Sequence, residues 1–305
     1  AVLSLALVLG AATTLTAVPL KAAKPETVMA HAQWAEVYDT PGALIAGADL
    51  IVIARHVAAE PGRVIANVPF TNNGFEIQRT VKGVYDGNVL VVEQTGGRMN
   101  DGTILSVDDG GPYVPGNSYL LFLKAQGGNG IYYQINRQGR YEIERGGRLK
   151  AVAAGWNGCL KYADFRINWF NGGTGDYFNI YEEEARTDAN AWDPYTDVAL
   201  TPVAAAGTTD HISAYNAAYG ATGWLSLTQV VTASGCTVQN GRIRLNQTYL
   251  DNGSYTRNQK KAVACNAIGK ILGLTNQAWA PGCMDGTLNN PFPSIQDRDT
   301  INSIY

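Results

Sequence analysis

The most regular hydrophobic pattern in the chain lies between residues 254 and 284. Val263, Ala267 and Ile271 recur at helical spacing, with Ala264, Ile268 and Leu272 beside them. Ser254 or Thr256 can cap the start and Gly273 supplies the stop, so the pattern predicts the best-defined helix of the chain. A Pro-Gly turn then leads to Cys283-Met284. Residues 36–150 follow a different rule. Thr40-Pro41-Gly42 opens a short helix, and apolar or alternating runs follow at 48–57, 74–83, 88–97, 117–125 and 131–144. Gly, Asn and Asp punctuate them, which predicts an antiparallel barrel or sandwich. Residues 151–160 are small and Gly-rich and mark a boundary to a second domain at 161–305. Residues 21–35 read as a polar linker in which His31 is an exposed loop histidine. Residues 1–20 are almost wholly apolar. They read as the core and end of a secretory signal with a small-residue site near Thr16-Ala17. Retained, they would span a membrane or pack into neighbouring copies as an assembly segment.

At 305 residues the chain is long enough for two domains. Charged residues make up only 16 % and the net charge is −3, which gives no electrostatic footprint for nucleic acid. Arg79, Lys82 and Arg98 do not form a basic stripe interleaved with aromatics either. The four cysteines are an even set, and with a secretory start they predict disulfides; four buried thiols are the alternative. His56, at a strand end, reads as structural. Asp210-His211 reads as a turn or helix start, and Glu182-Glu183-Glu184 as a solvated helix face. Asp285, Asp297 and Asp299 are oxygen donors that could serve a structural calcium. No Ser-His-Asp or Cys-His arrangement and no phosphate-binding Gly loop stands out.

The stretch from 254 to 284 resembles the active-site helix of metzincin metalloproteases, in particular the bacterial matrixin-like ones. Their pattern is His-Glu-x-x-His-x-x-Gly-x-x-His followed by a turn carrying Met. Here Asn266, Ala267, Lys270, Gly273 and Asn276 stand at the five motif positions and Met284 at the Met-turn. The resemblance extends through the C-terminal half. Residues 164–171 match a first strand, and 180–203 a first helix ending in Trp and then a second strand. Tyr219-Gly220, Gly223-Trp224 and the run 241–250 with Asn246 follow in family order, and 291–305 resembles the closing helix, with Gln296-Asp297 where His-Asp is usual. The resemblance implies that Cys265 pairs with Cys283, which leaves Cys159 for Cys236. Residues 48–54, 75–83, 90–97 and 113–123, with Lys82-Gly83 and Gly116-x-x-Tyr119-Leu120, resemble bacterial domains with the OB-like barrel of tissue inhibitors of metalloproteases and netrin modules. The cysteine-anchored N-terminus of those inhibitors is absent.

The fold implied is therefore an N-terminal all-β OB-like barrel followed by a C-terminal α+β metzincin-like domain with a mixed sheet and a long active-site-type helix. The chemistry is not carried over. A catalytic zinc takes three neutral imidazoles or equivalents and an open water position. Asn266, Lys270 and Asn276 are no such set, and Ala267 cannot act as the base. Asn266 and Lys270 share a helix face, so the ammonium could stand where zinc would, held by the two amide oxygens, or else point to solvent. The expectation is a secreted or cell-surface protein with no catalytic residue, no metal and no cofactor. It would bind a protein partner or assemble with itself, with a membrane role only if residues 1–20 are retained as an anchor. The alternatives are a zinc endopeptidase with non-standard ligands and an inhibitor-like regulator of proteases.

Overall fold

A computed structural model describes residues 26–108, 110–128, 130–151, 161–276 and 281–305. The segment 1–20 and nearly all of the 151–160 boundary lie outside the described residues. The chain is mostly β, with few helices. In order it forms β1 (Thr27–Trp34), α1 (Pro41–Gly47), β2 (Leu50–Ile65), β3 (Val68–Lys82), β4 (Val89–Arg98), β5 (Ile104–Val107), β6 (Ser118–Ala125), β7 (Ile131–Gln134), β8 (Arg140–Ile143) and β9 (Leu149–Ala151). There follow β10 (Lys161–Tyr162), β11 (Arg166–Asn171), α2 (Asp176–Glu182), α3 (Trp192–Tyr195), β12 (Ala199–Pro202), β13 (His211–Ala217), β14 (Trp224–Ser234) and β15 (Thr237–Asn246). The last elements are α4 (Gln247–Leu250), α5 (Arg257–Ile271) and α6 (Ile295–Ile304).

The first half closes on itself. Strands β4, β3, β2 and β6 are neighbours in that order, and β7 pairs with both β6 and β4, which completes a ring. Leu50, Val52, Ala54, Phe75, Leu90, Val92 and Leu121 fill it. The β2–β3 hairpin turns at Ala66 and Asn67, both at positive φ, so the two strands run on well past the apolar runs at 48–57 and 74–83. Helix α1 forms as expected, with the Thr40 side chain accepting from the Ala43 amide at 3.1 Å.

The second half is a mixed sheet in the order β12-β11-β13-β15-β14. The first four strands are parallel, and β14 returns antiparallel to β15. Helix α5 packs beneath it. Thr256 rather than Ser254 is its cap, in a capping box with Gln259. Gly273, at φ 109°, ends it by donating to the Lys270 carbonyl. Every residue from Lys261 to Ile271 is buried, so beyond its first turn α5 is enclosed on all sides rather than amphipathic.

Two expectations are overturned. Residues 27–34, read as linker, are strand β1. It pairs antiparallel with β14 (Ala30 with Gln229 through Trp34 with Trp224) and parallel with β5 (Thr27 with Ile104 through Ala30 with Val107), and it joins the two halves into one sheet. The reason is alternation: Val28, Ala30 and Ala32 point into a core with Val68, Phe70, Leu105, Val107 and Trp224. His31 is accordingly no exposed loop residue; its Nδ1 contacts the buried Asp108 carboxylate. The acidic run is not a solvated face either. Glu184 is fully buried, and Glu182 accepts from Trp169 Nε1 and Asn171 Nδ2, each at 2.9 Å. Helix α2 continues into a wider turn over 183–187, and this turns Glu184 inward.

Candidate functional site

The motif-like residues lie where α5 meets the turn at 283–285. A disulfide between Cys265 and Cys283 ties that turn to the helix, with Cα atoms 5.9 Å apart. Cys236 is also disulfide-bonded, and Cys159 lies outside the described residues. Asn266 Nδ2 donates to the Cys283 carbonyl at 2.9 Å, faces Met284 Sδ at 3.8 Å and approaches Asn276 Oδ1 at 3.4 Å. Its own Oδ1 is buried and has no hydrogen-bond partner among the described residues. Ala267 is a core residue, and its carbonyl accepts from Thr228 Oγ1 at 3.3 Å, which seats the helix on β14. Met284 is fully buried; its sulfur stands 2.5 Å from where a Cβ on Gly269 would be, so glycine there lets the turn lie against the helix.

Lys270 is 4 % exposed, and no described residue accepts a hydrogen bond from it. Burial pulls its ammonium down to about 8; the negative charge of Asp108 works against this and the positive charge of Arg137 adds to it. Both those residues come from the first half of the chain, so Lys270 faces the barrel side. The cradle of two amide oxygens is not formed: Asn276 is exposed and Asn266 is turned to Cys283. The set does not fit zinc. An ammonium occupies the middle motif position, and the amide at the first presents its donor to a carbonyl.

A second cluster lies at the other end of α5. Lys261 Nζ stands 3.1 Å from Glu184, 3.4 Å from Glu183 and 3.7 Å from Asp188, with the Phe292 ring centroid 4.8 Å away. Burial pushes the Glu184 carboxyl up to about 8, with Lys261 opposing and the charges of Asp188 and Glu183 adding to the rise. Sequence reasoning missed this cluster, and also missed that His31, Asp108 and Arg137 stand on the Lys270 side.

The remaining candidates do not converge. Asp285 accepts from Thr287, Asp297 forms a capping box with Ser294, and Asp299 pairs with Arg298. Among the described residues no three His, Cys, Asp or Glu side chains are grouped as metal ligands. His56 is buried against the rings of Phe75 and Tyr113, and His211 opens β13 and accepts from the Gly207 amide at 3.1 Å. Burial lowers both imidazole pKa values. No protein-family model matches this chain, and no curated protein matches it. The disulfide, and the lack among the described residues of a helix long and apolar enough to cross a membrane, are compatible with an extracellular protein.

Proposed function

We propose that this is a secreted, non-catalytic binding or structural protein: a metzincin-like scaffold whose zinc site has been given over to internal packing, joined to an OB-like barrel. The observation that carries the reading is the state of the motif positions. Asn266 ties α5 to the Cys283-Met284 turn, Ala267 packs in the core, and Lys270 buries an ammonium at the middle position. The mixed sheet over α5 and the disulfide-tethered Met-turn support the scaffold, and the closed ring of β4, β3, β2, β6 and β7 supports the barrel.

The cleft of metzincin enzymes binds an extended peptide along a strand edge, and strand addition needs backbone groups rather than zinc. Edge pairing is thus the activity such a scaffold keeps when its ligands are gone. Zinc quantitation and a peptide-hydrolysis screen on the purified protein test the reading. The expected result is no stoichiometric zinc and no cleavage. One tightly held ion per chain with cleavage that a chelator abolishes would overturn it in favour of a metalloprotease with non-standard ligands. The mass of the natively secreted protein decides whether residues 1–20 form part of it.

A further inference from the structure

The face of β15 turned away from α5 carries two arginines. Gly241, Ile243 and Leu245 face the helix, so strand alternation puts Arg242 and Arg244 on the other side, toward the first half of the chain. Among the described residues neither has a carboxylate in ion-pair range. Arg244 is 1 % exposed; its Nη1 donates to Gln229 Oε1 at 2.7 Å, and its Nη2 is enclosed with no hydrogen-bond partner among the described residues. Burial pulls its pKa down to about 10, and the charge of Arg242 works the same way. Arg242 is partly buried, and its enclosed Nε likewise has no hydrogen-bond partner among the described residues.

Arg242 lines a cavity of about 230 Å³ between the two halves of the chain. The other walls are Val64 and Pro69 at the tip of the β2–β3 hairpin, and Arg98, Met99 and Asp101 where β4 turns into β5. Met99 connects the cavity to the buried arginine, because Gln229, which accepts from Arg244, places its Nε2 3.9 Å from Met99 Sδ. Asp101 is already engaged. Its Oδ1 accepts from the Thr103 amide at 2.9 Å and the Thr103 hydroxyl at 2.6 Å. Those hydrogen bonds hold its carboxyl below the usual range, and the charge of Arg242 adds to this. Two arginines against one aspartate leave the lining with one positive charge in excess, and a third guanidinium is buried behind it. A guanidinium fork matches a carboxylate bidentately. One negative charge balances the lining, whereas a dianion would bring a second charge against Asp101. Val64, Pro69 and Met99 offer apolar surface to a short hydrocarbon body. An apolar cavity of about 150 Å³ holds a benzene, so this one has room for an acid of the size of benzoate.

We propose that this cavity binds a small monocarboxylate, with the carboxylate held by Arg242 and Arg98 and the body set against Val64, Pro69 and Met99. The site goes beyond the binding reading above and does not rest on it. It uses none of the motif residues, so the zinc and hydrolysis assays can fail without touching it.

The test is calorimetric titration of the full chain at low ionic strength with benzoate, with its neutral isostere benzamide and with sulfate as the dianion. Benzoate should bind saturably at one site, and benzamide and sulfate each about tenfold more weakly or not at all. Arg242→Gln and Arg98→Gln should each weaken benzoate about tenfold, the loss of a charge-assisted hydrogen bond. Arg98 is exposed, so its variant keeps the test open if Arg242→Gln does not fold. Arg148→Gln, at an exposed arginine outside the cavity, should change nothing. Asp101→Asn keeps an acceptor for Thr103 and removes the charge, so sulfate should bind that variant more tightly than the parent. A pentapeptide ending in a free Phe carboxylate tells the two sources of the group apart. Binding tighter than benzoate assigns the site to the end of a chain, and weaker binding assigns it to a free acid; both sustain the carboxylate. No saturable binding of benzoate overturns the proposal. So does benzamide bound as tightly as benzoate, sulfate bound more tightly than benzoate, or benzoate binding that neither arginine variant weakens.

Discussion

Replacing Lys270 by Met should stabilise the protein at neutral pH. Met keeps most of the length of the unbranched stem and removes the charge. In the unfolded chain the ammonium titrates near 10.5, and in the folded protein burial holds it at about 8. At about 1.4 kcal/mol for each tenfold in proton affinity, keeping it charged costs the folded state roughly 3 kcal/mol. The sign follows from which state releases its proton first. Below about pH 8 the ammonium is charged in both states and the penalty is present in full. Between about pH 8 and 10.5 the folded protein has lost the proton while the unfolded chain still holds it. Stability contributed at this position therefore rises with pH across that window. Urea unfolding at neutral pH should show Lys270→Met more stable than the parent by about 2–3 kcal/mol, with the gap narrowing as pH approaches 10.5. A variant that is less stable at neutral pH, or a gap that does not change with pH, would mean that the ammonium is paired or hydrated, and the burial argument would fail.

Glu184 should produce the opposite slope. Its folded value of about 8 lies above the usual carboxyl value, so the folded state holds a proton that the unfolded chain releases, and stability falls as pH rises from about 4.5 to about 8. Glu184→Gln should flatten that fall by a few kcal/mol, read by unfolding at both ends of the window; an unchanged slope would assign the titration to another group. Gly269→Ala should destabilise although alanine is the better helix former by about 1 kcal/mol. A Cβ there would stand 2.5 Å from Met284 Sδ and 2.6 Å from Trp192 Cζ2. A net loss of about 1–3 kcal/mol in thermal or urea unfolding is expected, and a gain would show that the Met-turn can move aside.

The sequence carries the parts of this fold whose residues announce their period. Helix α5 is legible because aliphatic side chains recur along it with a cap and a glycine at the ends. The main barrel strands are legible because Leu, Ile and Val fill their apolar positions. Strand β1 is not, because its core positions are Val28, Ala30 and Ala32, and alanine reads as neutral until a neighbour is close enough to need it small. Alternation alone was the available signal. Charge placement was the other failure. A run of three glutamates reads as solvated, and only the wider turn after α2 rotates the third one inward. For the candidate site, the motif register named Asn266, Asn276 and Met284, which do meet at the Cys283-Met284 turn, whereas Ala267 packs against β14 and Lys270 faces the barrel side. What the register cannot supply is the approach of Asp108 and Arg137, which depends on pairing between distant halves of the chain.

The two lysines of α5 allow that reasoning to be tested on one helix. Both are nearly enclosed, Lys261 at 6 % exposure and Lys270 at 4 %. Lys261 has three carboxylates within 4 Å; burial lowers its pKa, but the charges and hydrogen bonds of Glu184 and Glu183 outweigh this and hold it above the ordinary value. Lys270 has none in ion-pair range among the described residues, and its pKa falls. At neutral pH, where Glu184 holds its proton, removing the Lys261 ammonium takes a donor from buried Glu184 and a counter-charge from Glu183 and Asp188, at about 1–3 kcal/mol, whereas removing a buried charge with no carboxylate in ion-pair range among the described residues relieves the fold. Lys261→Met should therefore destabilise while Lys270→Met stabilises, in the same helix and by the same substitution. Unfolding of both variants in one buffer decides it: equal signs would show that burial alone governs the helix. Opposite signs would show that the charge at the motif position, which has no carboxylate in ion-pair range among the described residues, is the destabilising one, and a protein that retains a destabilising group is expected to have a use for it.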